Sequence, residues 1–362
     1  MHRYYLEDTK RAVDAKFEAQ RIAFAPITFQ AARAMRDKGI LEAVSQSGEK
    51  GITVREIASR LHLSEYGVGV LLEMGLGMEL VKLVAPEGEL RFTLGKVGFF
   101  ILEDDMTRAN MDFTQDVCYE GAMFLGDSIE KGKPEGLKVF GNWSTVYEGL
   151  SQLSPQVQKS WFAFDHFYSD VAFPQALPIV YGKKPARLFD IGGNTAKWAI
   201  TSCKFDPDVK VTIVDLPGQV AMAKKNIERE GFSDRIDAIG VNMLSGDSVL
   251  PKGANAVWMS QFLDCFSLAE VESILRKVHA AVDANCDVYV LEPFWDKQRF
   301  EAASYSLQAT SLYFTCIANG NSKMYRCQEM VDAVSAAGFE LREEHHDLGA
   351  NAYSLLTFRK RA

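Results

Sequence analysis

The chain is 362 residues long, 47% hydrophobic and 24% charged, with a formal net charge of -8. That length allows two or three domains and lets either half bury a core of its own, while the acidic balance lacks the basic footprint that nucleic-acid binding needs. No run of about 18 apolar residues occurs, which excludes a membrane-spanning helix, and Met1 to Gln20 is too charged (Arg3, Glu7, Asp8, Lys10, Arg11) for a signal peptide. The cysteines (Cys118, Cys203, Cys265, Cys286, Cys316, Cys327) are scattered with no C-x-x-C pair. They read as reduced thiols of a cytoplasmic protein, with neither a metal site nor a disulfide framework.

In chain order, Phe17, Ile22, Phe24, Ile27, Phe29, Ala32 and Met35 recur at helical spacing over residues 12–45. Thr53 followed by Glu56 is a capping box that opens a helix, and Ser64 caps a second helix expected to run to Leu80. Val81 to Phe92 alternates apolar residues about a turn at Pro86-Glu87-Gly88, which predicts a small hairpin. Helix, helix and two-stranded wing make a winged helix. Its second helix carries Glu65, Glu73 and Glu79 with no Lys or Arg, the wrong sign for a DNA groove. Gly67, Gly69, Gly75 and Gly77 suit close helix packing instead.

Residues 105–180 are helical in pattern and rich in aromatics, among them Tyr147, Trp161, Phe164 and Phe167, with a loop at Gly132-Lys133-Pro134-Glu135-Gly136. Gly182-Lys183-Lys184-Pro185 reads as a linker. Beyond it strands and helices alternate. The strands are expected at Arg187–Ile191, Val209–Val214, Ile236–Gly240, Ala254–Ser260 and Asp287–Leu291, with helices such as Gly218–Glu230 and Ala269–Val282 between them. Two late strands at Leu341–His345 and Ala352–Phe358 follow a helix at Cys327–Ala337. The fold class is α/β, Rossmann-like, with a mainly parallel sheet, preceded by a mostly α-helical half.

Leu188-Phe189-Asp190-Ile191-Gly192-Gly193-Asn194 ends the first of these strands and turns into a helix. Small residues let the chain turn and let a ligand approach the backbone; a plain strand–helix turn is the competing reading. A dinucleotide fingerprint would need glycine where Asn194 stands. A pyrophosphate also avoids a carboxylate, whereas Asp190 suits the ammonium of an amino-acid ligand such as S-adenosylmethionine. Asp215 ends the next strand about 20 residues on, where an acid can accept ribose hydroxyls. Its other reading is a helix N-cap ahead of Pro217.

With these motifs the chain resembles the two-domain S-adenosylmethionine-dependent O-methyltransferases typified by the plant caffeate and phenolic enzymes and their bacterial relatives. Phe189-Asp190-Ile191-Gly192-Gly193 is similar to that family's D-x-G-G-G turn and Asp215-Leu216-Pro217 to its D-L-P. Leu125-Gly126-Asp127-Ser128-Ile129-Glu130-Lys131-Gly132 is family-like, Val241-Asn242-Met243-Leu244 falls at G-D-M-F, and Lys323-Met324 at a K-x-R-like segment. The resemblance implies a winged-helix-like dimerisation domain over 1–104, a helical connector over 105–182 that contributes to the substrate pocket, and a seven-stranded methyltransferase domain over 183–362. It implies a homodimer through the N-terminal domain and S-adenosyl-L-methionine as cofactor, held by Asp190, Gly192, Gly193, Asn194, Asp215, Leu216, Asn242, Met243, Ser260 and Gln261. The sequence departs from the pattern at Asn194, the third glycine, and at Asn242, the adenine-side acid, whose amide oxygen can still accept from adenine.

The plant enzymes have a catalytic His in an H-D-W motif, and Asp264 stands there in this chain, within Phe262-Leu263-Asp264-Cys265-Phe266-Ser267. A free Asp near 3.9 is a weak base for a phenol near 10, and burial would raise it. Asp264 is therefore a candidate general base, with an orienting role or a helix cap as alternatives. Glu292, at the end of the fifth strand, is the acid that would orient it or share a proton with it. His166, Phe294, Tyr313 and Met324 are candidates for lining the acceptor pocket, and ordinary core is the competing reading for each aromatic. The expected function is O-methylation of a hydroxyl on a small aromatic or polyene-like metabolite. C- or N-methylation, and a catalytically silent S-adenosylmethionine-binding partner subunit, remain as alternatives.

Overall fold

The computed structural model describes residues 2, 5–84 and 88–361, apart from the side chains of 166–170. The chain divides into two compact units, Arg3–Gln115 and Asp116–Ala362, the second including the first two residues.

In the N-terminal unit the apolar periodicity of residues 12–45 is cut into three helices, Ala12–Ala23, Ala25–Asp37 and Ile40–Gln46. Two local features make the cuts. Pro26 lies in the first turn of the second helix, and Gly39 takes a left-handed φ of +77° ahead of the third. Helix Val54–Leu61 opens on the expected capping box: Thr53 Oγ1 accepts the Glu56 N–H and the Glu56 carboxylate accepts the Thr53 N–H at 2.8 Å. Ser64 caps the helix Glu65–Gly77, which ends short of Leu80. The wing is β1 (Val81–Leu83) paired antiparallel with β2 (Phe92–Leu94). Of the expected turn at Pro86-Glu87-Gly88, residues 86 and 87 lie outside the described set. The glycine-rich helix does permit close packing, since a Cβ on Gly75 would lie 2.9 Å from Met35 Cε. Met35, Ile40, Leu41, Val44, Ile57, Leu72, Val81 and Phe92 form this unit's core. By contrast the helix Ala12–Ala23 buries none of its residues, and Phe17, Ile22, Phe24 and Ile27 are all exposed in the single chain.

Among the described residues, the second unit holds one seven-stranded sheet. Its strands are β3 (Arg187–Ile191), β4 (Lys210–Asp215), β5 (Ile236–Gly240), β6 (Ala256–Ser260), β7 (Asp287–Glu292), β8 (Phe339–Leu348) and β9 (Tyr353–Lys360). Their order is β5-β4-β3-β6-β7-β9-β8, parallel except where β9 pairs with β7 and β8. Every residue of β7 is buried, as expected for a strand covered on both faces. On one face Ile191, Val257 and Val290 pack with Val271, Ile274, Leu275 and Val278 of the helix Leu268–Ala281 and with Met330 and Val334 of the helix Cys327–Ala336. On the other, Trp258 stacks on Trp198 at 3.7 Å, with Phe173 edge-on to Trp198. Asp190 is the in-register neighbour of Trp258, so it lies on that second face.

The chain leaves β3 for β4 and β5 on one side and returns to build β6 and β7 on the other. The order therefore reverses between β3 and β6, the point at which sheets of this kind open a crevice at the carboxyl ends of their strands. The return connection, 241–255, contains no helix, although parallel crossovers are usually helical. All six cysteines are free thiols. No helix among the described residues is long and apolar enough to cross a membrane.

Candidate functional site

The carboxyl ends of β3, β4, β6 and β7 bring Ile191-Gly192-Gly193, Asp215, Ser260-Gln261 and Glu292 to one edge of the sheet. At the end of β3, the Gly192 N–H donates to Val214 O at 2.9 Å while the residue takes φ +78°. A Cβ on Gly192 would lie 2.3 Å from the Phe262 ring, and one on Gly193 2.9 Å from both Asp190 Oδ2 and Ile213 Cγ2. Both glycines are required by that crowding. Asn194 adopts φ +44°, the left-handed conformation that a third glycine would take and that Asn tolerates better than other side chains.

Asp215 ties the turn to the next strand. Its Oδ2 accepts the Asn194 N–H at 2.8 Å and its Oδ1 the Leu216 N–H at 2.7 Å. Burial pushes its carboxyl up, and these two amides pull it back. A carboxylate has about four acceptor positions, so each oxygen keeps a lone pair for a ligand diol. Helix capping is done elsewhere, with Leu216 at the N-cap and Pro217 in the first turn.

Four buried acceptor atoms around the crevice have no hydrogen-bond partner: Asp190 Oδ2, Asn194 Oδ1, Gln261 Oε1 and Glu292 Oε2, joined by the Ser260 hydroxyl. Leaving such atoms unpaired costs about 1–3 kcal/mol each. A ligand rich in donors or positive charge satisfies them; a phosphate does not. S-adenosylmethionine, with an ammonium, two ribose hydroxyls, an adenine amino group and a sulfonium, fits this donor-poor crevice. Burial, then the charge of Asp215, pushes the Asp190 carboxyl up to about 8, so a neighbouring cation relieves a real electrostatic cost.

The β5 end is arranged differently from expectation. Asn242 is exposed, and its Oδ1 already accepts the Leu244 N–H at 2.9 Å, leaving only its second lone pair for adenine. The Met243 side chain lies in the core cluster with Ile274 and Val278, so this loop offers backbone and Asn242, not the Met243 thioether, as an open face.

Asp264 lies in a tight turn, Leu263–Cys265, and is buried at 4% exposure. Burial raises its carboxyl to about 6, with the Cys265 thiol donating to Oδ1 at 3.6 Å. Glu292 Oε1 accepts the N–H groups of Phe262 (3.1 Å) and Leu263 (3.0 Å), and the Asp264 backbone bonds to the same carboxyl, so Glu292 holds the segment that carries Asp264. Burial and then the Asp264 charge push Glu292 upward, well above the usual carboxylate range. The same segment is pinned by Asn319 Nδ2 donating to Cys265 O at 2.5 Å and by the Tyr325 hydroxyl donating to Phe266 O at 2.6 Å. The capping box of Ser267 and Glu270 then starts the helix Leu268–Ala281. Tyr147 lies beside Cys265 and Asp264, and its phenol is raised by burial. Asn319, Tyr325 and Tyr147 escape sequence reasoning because their roles depend on contacts across 50 residues or more.

The candidate pocket residues separate. Tyr313 is buried at the end of the helix Glu301–Tyr313 and accepts the Trp161 Nε1–H at 2.8 Å. Met324 is buried, its N–H bonded to Ser311 Oγ at 3.1 Å. Phe294 is buried in the core cluster with Val290, Met330 and Phe339. His166 lies on the helix Pro155–Ser169, and its side chain is outside the described residues. No cluster of metal-ligating side chains occurs among the described residues.

Comparison with known proteins agrees with this geometry. Residues 16–88 match the model of a Dimerisation2-like domain, and residues 123–340 match that of an O-methyltransferase domain. The chain is 23% identical over 322 residues to the L-tyrosine C(3)-methyltransferase of Streptomyces lavendulae, covering 88% of this chain and 85% of that one. It is 25% identical over 258 residues to the demethylspheroidene O-methyltransferase of Rhodobacter capsulatus, covering 65% and 60%. Among solved structures, the S-adenosylmethionine-dependent methyltransferase SibL in its apo form superposes with a TM-score of 0.71 at 21% identity, over 94% of this chain and 98% of that one. An O-methyltransferase from neocarzinostatin biosynthesis, in complex with S-adenosyl-L-homocysteine and 1,4-dihydroxy-2-naphthoic acid, superposes at 0.66 with 18% identity, over 93% and 96%.

A carboxyl raised by folding favours the folded state when protonated and opposes it when ionised. The penalty from Asp190 is therefore absent below pH 4, grows by up to about 1.4 kcal/mol per pH unit above it, and is complete above pH 8. Asp190→Asn should match the wild type in urea denaturation at pH 4 and exceed it at pH 8.5. Equal stability at both would show that Asp190 is not strained by burial.

Proposed function

This chain belongs to the O-methyltransferase family, uses S-adenosylmethionine and is a methyltransferase, and we propose that its acceptor is a small hydroxylated aromatic metabolite whose proton is taken by Asp264. The single observation that carries the assignment is a buried carboxylate raised to about 6, held at the strand edge beside the crevice by the fixed amides on Glu292. Bound S-adenosylmethionine supplies a methyl group on a sulfonium, open to in-line displacement. The protein's own contribution is to hold the acceptor in line, exclude water and receive the proton on an Asp264 oxygen. At neutral pH Asp264 is ionised. Glu292 beside it is pushed up by burial and then by the Asp264 charge, so the pair disfavours two adjacent charges. The family model favours the hydroxyl oxygen as the methyl acceptor.

Transfer to the ring carbon next to the hydroxyl is the second reading. The relative named for C(3)-methylation of L-tyrosine covers 88% of this chain, and a carboxylate near 6 suits that chemistry. There the C–C bond forms as the S–C bond breaks, and the ring carbon then loses its proton to Asp264 to restore aromaticity. That proton is far more acidic than a phenol near 10.

The exposed apolar face of the first two helices, together with the Dimerisation2-like match, supports a homodimer formed through the N-terminal unit.

Four outcomes test these readings. In wild type, kcat/KM should rise tenfold per pH unit up to about 6 and level off above, the apparent value belonging to the Asp264–Glu292 pair. Asp264→Asn should lose about 10²- to 10⁴-fold in kcat together with that acid limb, with S-adenosylmethionine binding intact in calorimetry; a retained limb would remove Asp264 as the base. With a ring-deuterated phenol, mass spectrometry should find every ring deuteron kept if oxygen is methylated and one lost if carbon is. Finally, Phe17→Asp combined with Ile22→Asp should sediment as a monomer where the wild type sediments as a dimer, and an unchanged dimer would move the interface elsewhere.

A further inference from the structure

The 241–255 connection carries Asn242 and Met243, yet it has no helix to order it. Local bonds shape its first part: the Ser245 N–H donates to Asn242 O at 3.0 Å, and the Ser248 hydroxyl donates to Ser245 O at 2.8 Å. These bonds close a turn but do not attach it to the rest of the unit.

The ends of the connection are tied by the Val241 N–H on Asp215 O and the Asn255 N–H on Arg187 O, both at 2.8 Å, and one side chain ties the part between them. Lys277, on the helix Leu268–Ala281, donates from Nζ to Met243 O at 2.6 Å, to Ser245 O at 2.5 Å and to Ser248 Oγ at 2.9 Å. An ammonium has three donors, and all three are used on this one loop. The side chain is only partly exposed, so these charge-assisted bonds are shielded from bulk water. Met243 adds an apolar anchor beneath, packing in the core with Ile274 and Val278 of the same helix.

That helix also begins at Ser267, immediately after the segment 261–266 that holds Asp264. Ser267 and Lys277 are ten residues apart, about 15 Å along a helix axis. One rigid element thus supports the catalytic segment at its first turn and the loop after β5 near its last.

We propose that Lys277 is a positioning residue for the cofactor: its ammonium fixes the loop after β5 in the shape that receives the adenosine half of S-adenosylmethionine. The assignment rests on the adenosine lying against the 241–244 stretch at Asn242, as the resemblance of that stretch to the family's G-D-M-F segment implies. Lys277 acts through the loop carbonyls and touches neither the acceptor nor Asp264.

Calorimetric titration of Lys277→Met and Lys277→Arg, each with S-adenosylmethionine and with 5′-methylthioadenosine, provides the test. Methionine keeps the aliphatic stem and removes the donors, which at the strength of hydrogen bonds to a charged group corresponds to about 10- to 100-fold. Lys277→Met should weaken both ligands by the same factor in that range, and Lys277→Arg should recover most of it. At saturating cofactor, kcat and the KM for the acceptor should match wild type. Wild-type affinity in Lys277→Met would overturn the proposal. So would a loss that Lys277→Arg does not recover, or one that extends to kcat and acceptor KM with a large fall in Tm, since these describe general destabilisation. If the wild type binds S-adenosylmethionine but not 5′-methylthioadenosine, the adenosine placement itself fails and the proposal falls with it.

Discussion

Glu292 accepts two consecutive backbone N–H groups from the segment that follows β6, and much of the site depends on that contact. A carboxylate at a parallel strand end is an expensive group to bury unless it is well paired. Here one oxygen is paired and the other is left open at the crevice. The consequence is a fixed turn that places Asp264 indoors, where burial brings its carboxyl towards neutral pH. Because the two acids feel one another, both cannot ionise cheaply, and that coupling separates their roles.

The same economy recurs at the other strand ends. Asp215 joins the glycine turn to β4 through the Asn194 amide, and Lys277 joins the loop after β5 to a helix through three oxygens. Each of these charged groups satisfies backbone that has left regular structure, which is where unsatisfied polar groups would otherwise accumulate. The sheet and its two apolar faces supply rigidity, and these side chains transmit it to the loops. What remains unpaired is a set of acceptors facing a crevice at the reversal of strand order. The charge preference of the site follows from that set more than from any single motif.

Two departures from the family pattern have different physical meanings. Asn194 preserves the backbone conformation that glycine would supply, so the turn survives the substitution. Asn242 is a change of chemistry: its oxygen is already used by the Leu244 N–H, and it carries no charge. On the proposed reading, burial makes up for Asp264 standing where the plant enzymes have a catalytic His, because it moves a weak acid towards the working range of a base.

The sequence alone determined the elements with strong local signals. Capping boxes at Thr53 and Ser267, the glycine turn after β3 and the alternation of strands with helices are set by neighbouring residues, and the structure reproduces them within a few residues. Family resemblance, carried by contiguous residues, located the crevice and the Asp264 position. Tertiary structure alone decided which side chains face the site. Phe294 and Met243 are apolar residues beside functional positions, and only the packing of two helices on the sheet shows that both point into the core. Glu292 was visible as an acid at a strand end, but that its oxygen holds the turn and not the Asp264 side chain depends on a backbone fold 30 residues away. Lys277 has no local signal at all, because its three acceptors lie on a loop about 30 residues earlier in the chain. Local propensity is written in neighbouring residues, whereas the pairing of buried charge is settled only when distant segments meet.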